Sequence, residues 1–318
     1  MRNPRNVRPA TLCAGMLALS VAVVTPVAAA HSGHNDGTST SKSKTQSVDI
    51  RFAAVAGTTP VACGKPIAGL GKTLKTAQLA DLRFYVSEAK LLRSDGRAVS
   101  VKLAADSLYR VTRGNDRVTL IDLENGAGSC TSGTRGTNPV VRGTVPQGKY
   151  VGVQVTVGVP FALNHTDVPA APRPLNVAAM SWSWQAGRKF AKIDVTDPGG
   201  PTGSWTSKQF NVHLGSTGCA GNPATGQTVS CRAANRSVLK FARFNPQRQQ
   251  IAVDLRTLLA GNDVTANLAG APGCMSGPTD PECNGVLSAF GIDWRADGNG
   301  TGKSPSGSAQ RAFRVTAR

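Results

Sequence analysis

Apolar residues in this chain recur mostly at every second position, in short runs, and seldom with the 3.6-residue spacing of a helix. Between Tyr150 and Phe161, Val151, Val153, Val155, Val157 and Val159 fall on one parity, and Gly152, Gln154, Thr156 and Gly158 on the other. That alternation predicts a strand with one buried face. Strand-like segments are also expected at Asp49 to Phe52, Leu82 to Val86, Val118 to Leu123 and Ile251 to Leu255, punctuated by Gly, Asn and Pro clusters. In Phe210 to Leu214 the same alternation sets Phe210, Val212 and Leu214 on one face and leaves Asn211 and His213 on the opposite one.

Helical signals are few. One short helix is expected to be capped by Asp254 and stopped at Gly261, and a second to have Asp280 as cap, Pro281 at its first position and Gly291 at its end. Both read as peripheral. A long irregular loop, rich in Pro and Ala, runs from Asn164 to Val177, and irregular segments of this length commonly serve a site. The fold class that follows is all-β: a single antiparallel β-sandwich with disulfide-tied loops and one or two short peripheral helices.

At the amino terminus the pattern changes. Arg2, Arg5 and Arg8 precede an apolar run from Thr11 to Val24, and Ala28-Ala29-Ala30 supplies the small residues of a cleavage site. This is the three-part form of a secretory signal, too short to span a bilayer as an anchor. The polar stretch that follows has nothing to bury and reads as a disordered tether. The expected organisation is therefore a signal peptide at 1–30, a polar linker at 31–47 and one β-sandwich domain at 48–318, periplasmic or secreted.

Composition narrows the function classes. The 318 residues include 36 Lys plus Arg against 18 Asp plus Glu, a net charge of +18 that falls to about +15 without the three leader arginines. The basic residues are scattered, without runs or interleaved aromatics, which disfavours a nucleic-acid groove. A basic surface that steers an acidic partner fits the charge equally well.

Outside the leader the chain carries Cys63, Cys130, Cys219, Cys231, Cys274 and Cys283, an even set suited to an oxidising compartment. No Cys-x-x-Cys knuckle marks a zinc site. Sequence alone permits many pairings. The expected set joins Cys219 to Cys231 and Cys274 to Cys283 across short loops, and Cys63 to Cys130. Motifs for acyl transfer, phosphate binding, zinc proteolysis and covalent haem attachment are missing.

Candidate chemistry rests on His, Met and Trp. His165 lies where the valine-striped strand exits into the long loop, and His213 lies on the polar face of its segment. Each imidazole can be a surface or hydrogen-bonded structural residue, and each can be a metal ligand. In Met180-Ser181-Trp182-Ser183-Trp184, an extended chain would put Met180, Trp182 and Trp184 along one face. Paired Trp on a strand is ordinarily core. A thioether and electron-rich indoles beside imidazoles also suit a soft copper ion.

Four separated motifs, taken in order, resemble the MbnP-like family, whose members are also called metallo-mystery pair four-Cys proteins. They are Gly158-Val159-Pro160-Phe161-Ala162-Leu163-Asn164-His165, Met180 to Gly187, His213 to Cys219, and Gly273-Cys274-Met275-Ser276 through Cys283. The resemblance implies an exported copper-binding protein without turnover chemistry of its own. It also implies a partner, a di-haem cytochrome c peroxidase-like protein of the MbnH type, that oxidises a Trp to kynurenine. On this likeness His165 and His213 are the copper ligands and Trp182 or Trp184 is the modified side chain. Cys219, Cys231, Cys274 and Cys283 match the four cysteines of the name. His31, His34 and Met180 are candidates to complete the coordination shell. Arg188 departs from the pattern, which often has an aromatic there, and is expected to alter the polarity around the Trp pair. The rival readings are a non-metal β-sandwich that binds a glycan or protein through the long loop, and a hydrolase with an unrecognised site.

Overall fold

The computed structural model describes residues 44–182, 187–222, 227–304 and 309–318. The expected signal peptide and most of the expected linker lie outside these residues. Two sheets form the body of the domain. The smaller runs β18 (Phe313–Ala317), β16 (Gln249–Asp254), β1 (Thr45–Ala56), β9 (Val140–Pro146) and β6 (Lys102–Leu103), with β2 (Thr59–Pro60) added to β1. The larger runs β15 (Ser237–Phe241), β10 (Gly152–Val157), β4 (Lys75–Leu92), β11 (Ala191–Thr196), β12 (Gln209–Leu214) and β17 (Gly273–Cys274). β3 (Pro66–Leu70), β5 (Ala98–Ser100) and β8 (Asp116–Asp122) also pair with β4, and β7 (Arg110–Arg113) pairs with β8.

The all-β expectation holds, with one refinement. β1 pairs with β16, and β12 with β17, in parallel, so the sheets are mixed instead of purely antiparallel. β1 also starts at Thr45, and Thr45, Gln46 and Ser47 pair with Pro146, Val145 and Thr144. Three residues expected in the linker are thus strand, because ladder bonds to β9 satisfy their backbone whatever the polarity of their side chains.

β4 is the spine of the large sheet. Phe84, on its core face, meets Phe52 of β1 and Phe313 of β18 edge-on, with ring centroids 5.4 and 5.5 Å away. Burying each such ring contributes roughly 1.5–3 kcal/mol, which explains why an apolar alternation in these strands is enough to register the two layers. The opposite face of β4 carries Asp81, Arg83 and Tyr85. Along one edge, β4 pairs first with β11 and then with β10, and the two neighbours meet at Tyr85. There Tyr85 N–H donates to Phe190 O at 2.8 Å, and Gly158 N–H donates to Tyr85 O at 2.9 Å.

The valine stripe is shorter and more enclosed than expected. β10 ends at Val157, Gly158 takes φ +143°, and Phe161 already opens the short helix α1 (Phe161–Asn164). Val153, Val155 and Val157 are buried as expected, yet Gly152, Thr156 and Gly158 are buried too. On the alternate face Gly158 lies under Arg236 and Phe190, and Thr156 Oγ1 donates to Glu88 Oε2 at 2.8 Å.

α2 (Leu255–Leu259) is capped by the Asp254 carboxylate, which accepts from Arg256 N–H. α3 (Cys283–Ala289) starts later than expected. Asp280 instead holds the preceding turn, its two oxygens accepting from Met275 N–H and Glu282 N–H. Neither helix is peripheral: Leu255, Leu258, Val286 and Leu287 are fully buried in the core. Disulfides join Cys63 to Cys130, Cys219 to Cys231 and Cys274 to Cys283. No helix among the described residues is long and apolar enough to cross a membrane.

Candidate metal centre

Phe210, Val212 and Leu214 of β12 point into the core, which forces Asn211 and His213 to the other face. That face is enclosed as well, and His213 is only 9% exposed. An imidazole there needs a partner, and Asp194 on β11 provides it, with Oδ1 3.0 Å from Nε2. The charges continue across the sheet. Lys192 Nζ lies 2.5 Å from Asp194 Oδ2 and 2.6 Å from Asp81 Oδ2, and Arg83 Nε donates to Asp81 Oδ1 at 2.8 Å.

The register dictates this row. Lys192 is opposite His213 on one side and Arg83 on the other, and Asp194 is opposite Asn211 and Asp81. Burial alone would raise the Asp194 carboxyl, but the hydrogen bond from His213, together with Lys192, outweighs it and holds the group below its ordinary range. A carboxylate bound at Nε2 keeps the neutral ring's proton on that nitrogen, so the lone pair is on Nδ1. This is the arrangement by which a second group orients a metal-binding imidazole.

His165 is positioned by different means. It follows α1, whose last carbonyls have no partner within so short a helix. Arg188 fills that need. Its Nη1 donates to Leu163 O, Asn164 O and Thr166 O at 2.9, 2.6 and 2.8 Å, and its Nε donates to Leu175 O at 3.1 Å. Its own backbone N–H donates to Asn164 Oδ1 at 2.8 Å. Arg188 is fully buried, and that burial pulls its pKa down despite the neighbouring Tyr85 and Asp167. The expectation that Arg188 changes the polarity around the Trp pair therefore gives way to a structural account: the guanidinium clamps the loop that carries His165.

His165 Nε2 lies 3.1 Å from Asn164 Nδ2 and 3.3 Å from Cys231 Sγ, and its ring centroid is 4.9 Å from that of Phe161. An amide donor at Nε2 leaves that nitrogen as the acceptor. The adjacent sulfur belongs to the Cys219–Cys231 bridge, which crosses the separate hairpin of β13 (Thr217–Asn222) and β14 (Gln227–Ala233).

Trp182 completes the cluster. Its backbone N–H donates to Gly187 O at 3.0 Å, and its ring centroid is 6.5 Å from that of His213, with the planes tilted by 59°. Gly215 makes room for it, since a Cβ there would stand 2.2 Å from Trp182 Cζ3. A line of contacts then links the two histidines: His165 to Asn164, Asn164 to Ser216 Oγ at 3.4 Å, Ser216 to its chain neighbour Gly215, Gly215 to Trp182, and Trp182 to His213.

Met180 takes no part in this line. Ala178–Met180 is a turn of 3-10 helix instead of an extended strand, and Met180 is fully buried in the hydrophobic core. The expected extended run begins only at Ser181, which is extended and bridges Arg188. Trp184, His31 and His34 lie outside the described residues.

Asp194, Lys192 and Asn164 escaped the sequence reading. Lys192 and Asp194 do share a parity in an otherwise apolar segment, which hints at a polar face, but only strand order gives them His213 as neighbour.

Imidazoles with defined ring nitrogens are donors of a type that suits copper, and here His165 and His213 are joined through Asn164, Ser216, Gly215 and Trp182, whereas the carboxylates nearby are already engaged by Lys192 and Arg83. In comparison with known proteins, the MbnP family profile matches residues 45–276. Among solved structures, MbnP from Methylosinus trichosporium aligns with a TM-score of 0.73 at 36% identity, covering 86% of this chain and 99% of that one. No curated protein matches the chain.

Proposed function

The chain belongs to the MbnP family, and from that premise we propose that it is an exported copper-binding protein of copper handling. Copper is held by His165 through Nε2 and by His213 through Nδ1, next to Trp182. The observation that carries this reading is the Nε2 contact of His213 with Asp194 at 3.0 Å, because a buried carboxylate that fixes the ring leaves one nitrogen oriented for a ligand.

The chain's own groups hold, orient and shield the ion. Asp194 and Lys192 lock the His213 ring, and Arg188 locks the segment that bears His165. Trp182 supplies the oxidisable indole. A di-haem peroxidase-like partner converts a Trp of the Trp182/Trp184 pair to kynurenine, and the basic surface of the chain steers that encounter. Three disulfides agree with a compartment outside the cytoplasm.

The test is copper uptake by the disulfide-intact protein, measured by competition with a chromophoric chelator. A single copper per chain is expected, lost in the His165→Ala, His213→Ala double variant. Unchanged uptake in that variant rejects the site. Peptide mapping across Trp182 and Trp184, after co-expression with the partner, reads the ring opening as a mass change and a new near-ultraviolet band. A protein that takes up no copper, and whose histidines are freely replaceable, would instead be the non-metal binding module.

A further inference from the structure

We propose that the Cys219–Cys231 bridge is redox-labile and that its two thiols, once released, form with His165 a three-donor site for a soft ion, Cu(I) foremost. A ring nitrogen of His165 and the two sulfurs lie within 4.8 Å of one another, and all three residues are half-buried. Nε2 already faces Cys231 Sγ at 3.3 Å. Two thiolates and an imidazole at that spacing match the preference of Cu(I) for sulfur with nitrogen.

The other bridges differ in the features that matter. Each of the others has at least one fully buried cysteine: Cys130, whose partner Cys63 is half-buried, and both Cys274 and Cys283. The second cluster of possible ligands joins Glu124 to Cys63 and Cys130, but both Glu124 oxygens are taken by backbone N–H groups, of Gly126 and Thr134, each at 2.7 Å. By contrast, the 219–231 bridge spans a two-stranded hairpin that belongs to neither large sheet. Opening it leaves both ladders intact. An imidazole next to a released thiol also favours the thiolate, the form that attacks disulfides and binds metals.

The chemistry balances with a dithiol reductant, such as an exported thiol–disulfide oxidoreductase. One thiolate of the reductant attacks a bridge sulfur, and its second thiol then displaces the mixed disulfide. Two electrons and two protons pass to Cys219 and Cys231, and the reductant leaves as a disulfide. Cu(I) binding then expels both thiol protons to solvent. The site shares His165 with the copper reading above but does not rest on it, because it exists only in reduced protein.

The experiment uses the His213→Ala chain, in which the other site is disabled, with graded dithiothreitol under argon. Mass-mapped alkylation should find Cys219 and Cys231 modified before any other cysteine. After removal of the reductant, Cu(I) competition with bicinchoninate should show a single ion bound at least about tenfold more tightly than by the oxidised protein. A thiolate-to-copper ultraviolet band should accompany it, and both signals should vanish in the Cys219→Ser, Cys231→Ser variant. Alkylation of Cys63, Cys130, Cys274 or Cys283 at the same or lower reductant would overturn the proposal, and so would a reduced protein without the band. The alkylation order is read on protein with all its cysteines, so it stands even if the serine variant folds poorly. Copper uptake by the oxidised wild-type chain is scored separately and bears only on the earlier reading.

Discussion

Replacing Arg188 by Met tests whether a single buried guanidinium positions the His165 segment. Nη1 carries two N–H groups shared among the carbonyls of Leu163, Asn164 and Thr166, and Nε serves Leu175. Three charge-assisted bonds at about 1.5–3 kcal/mol each give a gross loss of roughly 5–9 kcal/mol. Against this stands the relief of a desolvated cation, a penalty of several kcal/mol. The carbonyls decide the sign: Met has the length of the missing stem but no donor, so they lose their partners while still enclosed. A net destabilisation of about 3 kcal/mol is expected, in line with breaking buried charged networks. Urea denaturation with the disulfides intact measures it, and hydrogen exchange should show lost protection in the segment from Leu163 to Leu175. Arg188→Lys should recover less than half, because one ammonium cannot span Leu163 and Leu175 as a planar fork does. A loss under about 1 kcal/mol, with exchange unchanged, would refute the clamp.

Asp122 gives a pH prediction. Burial, then the neighbouring Glu124 charge, push its pKa up to about 7 against the pull of Arg83. The folded state therefore holds a proton that the unfolded state has released above pH ~4, and stability falls as pH rises from ~4 to ~7, by on the order of 4 kcal/mol. Asp122→Asn mimics the protonated acid and should flatten that slope in pH-dependent thermal melts; an unaltered slope would assign it to other groups. Asp194→Asn keeps an acceptor for His213 but removes the charge, and copper affinity should drop by about 10–100-fold in chelator competition. If affinity holds, the carboxylate does not tune the ligand. In the wild type the Asp194 carboxyl is depressed, so the stability it contributes is present above pH ~4 and is lost on further acidification. Gly215→Ala drives a methyl into the Trp182 ring and should cost about 1–3 kcal/mol and change Trp fluorescence. A silent substitution would mean that the indole does not pack on Gly215.

Alternation alone sorted Phe210, Val212 and Leu214 from Asn211 and His213, because a strand offers its side chains only two directions. It failed at Met180, where a 3-10 turn replaced the strand, and at Thr156, where a covered second face removed the contrast between inside and outside. The local disulfides were readable because nine and twelve residues of chain hold the cysteines close. Arg188 stood out in sequence as a departure expected to act on the Trp pair, and its hold on the His165 loop was not readable, since its acceptors are carbonyls that every residue possesses.

The sequence by itself determined the all-β class, the parity of His213, the cysteine set and the family, since each depends on residue type and short-range spacing. Only the tertiary structure decided that Asp194 meets His213, that Arg188 holds the loop of His165, and that Cys231 lies against that histidine. Those contacts join residues 19 to 66 positions apart, across strands whose order is not written in any local pattern. Burial then turned them into necessities, because an enclosed imidazole, guanidinium or carboxylate must find a partner, and register decides which one is in reach.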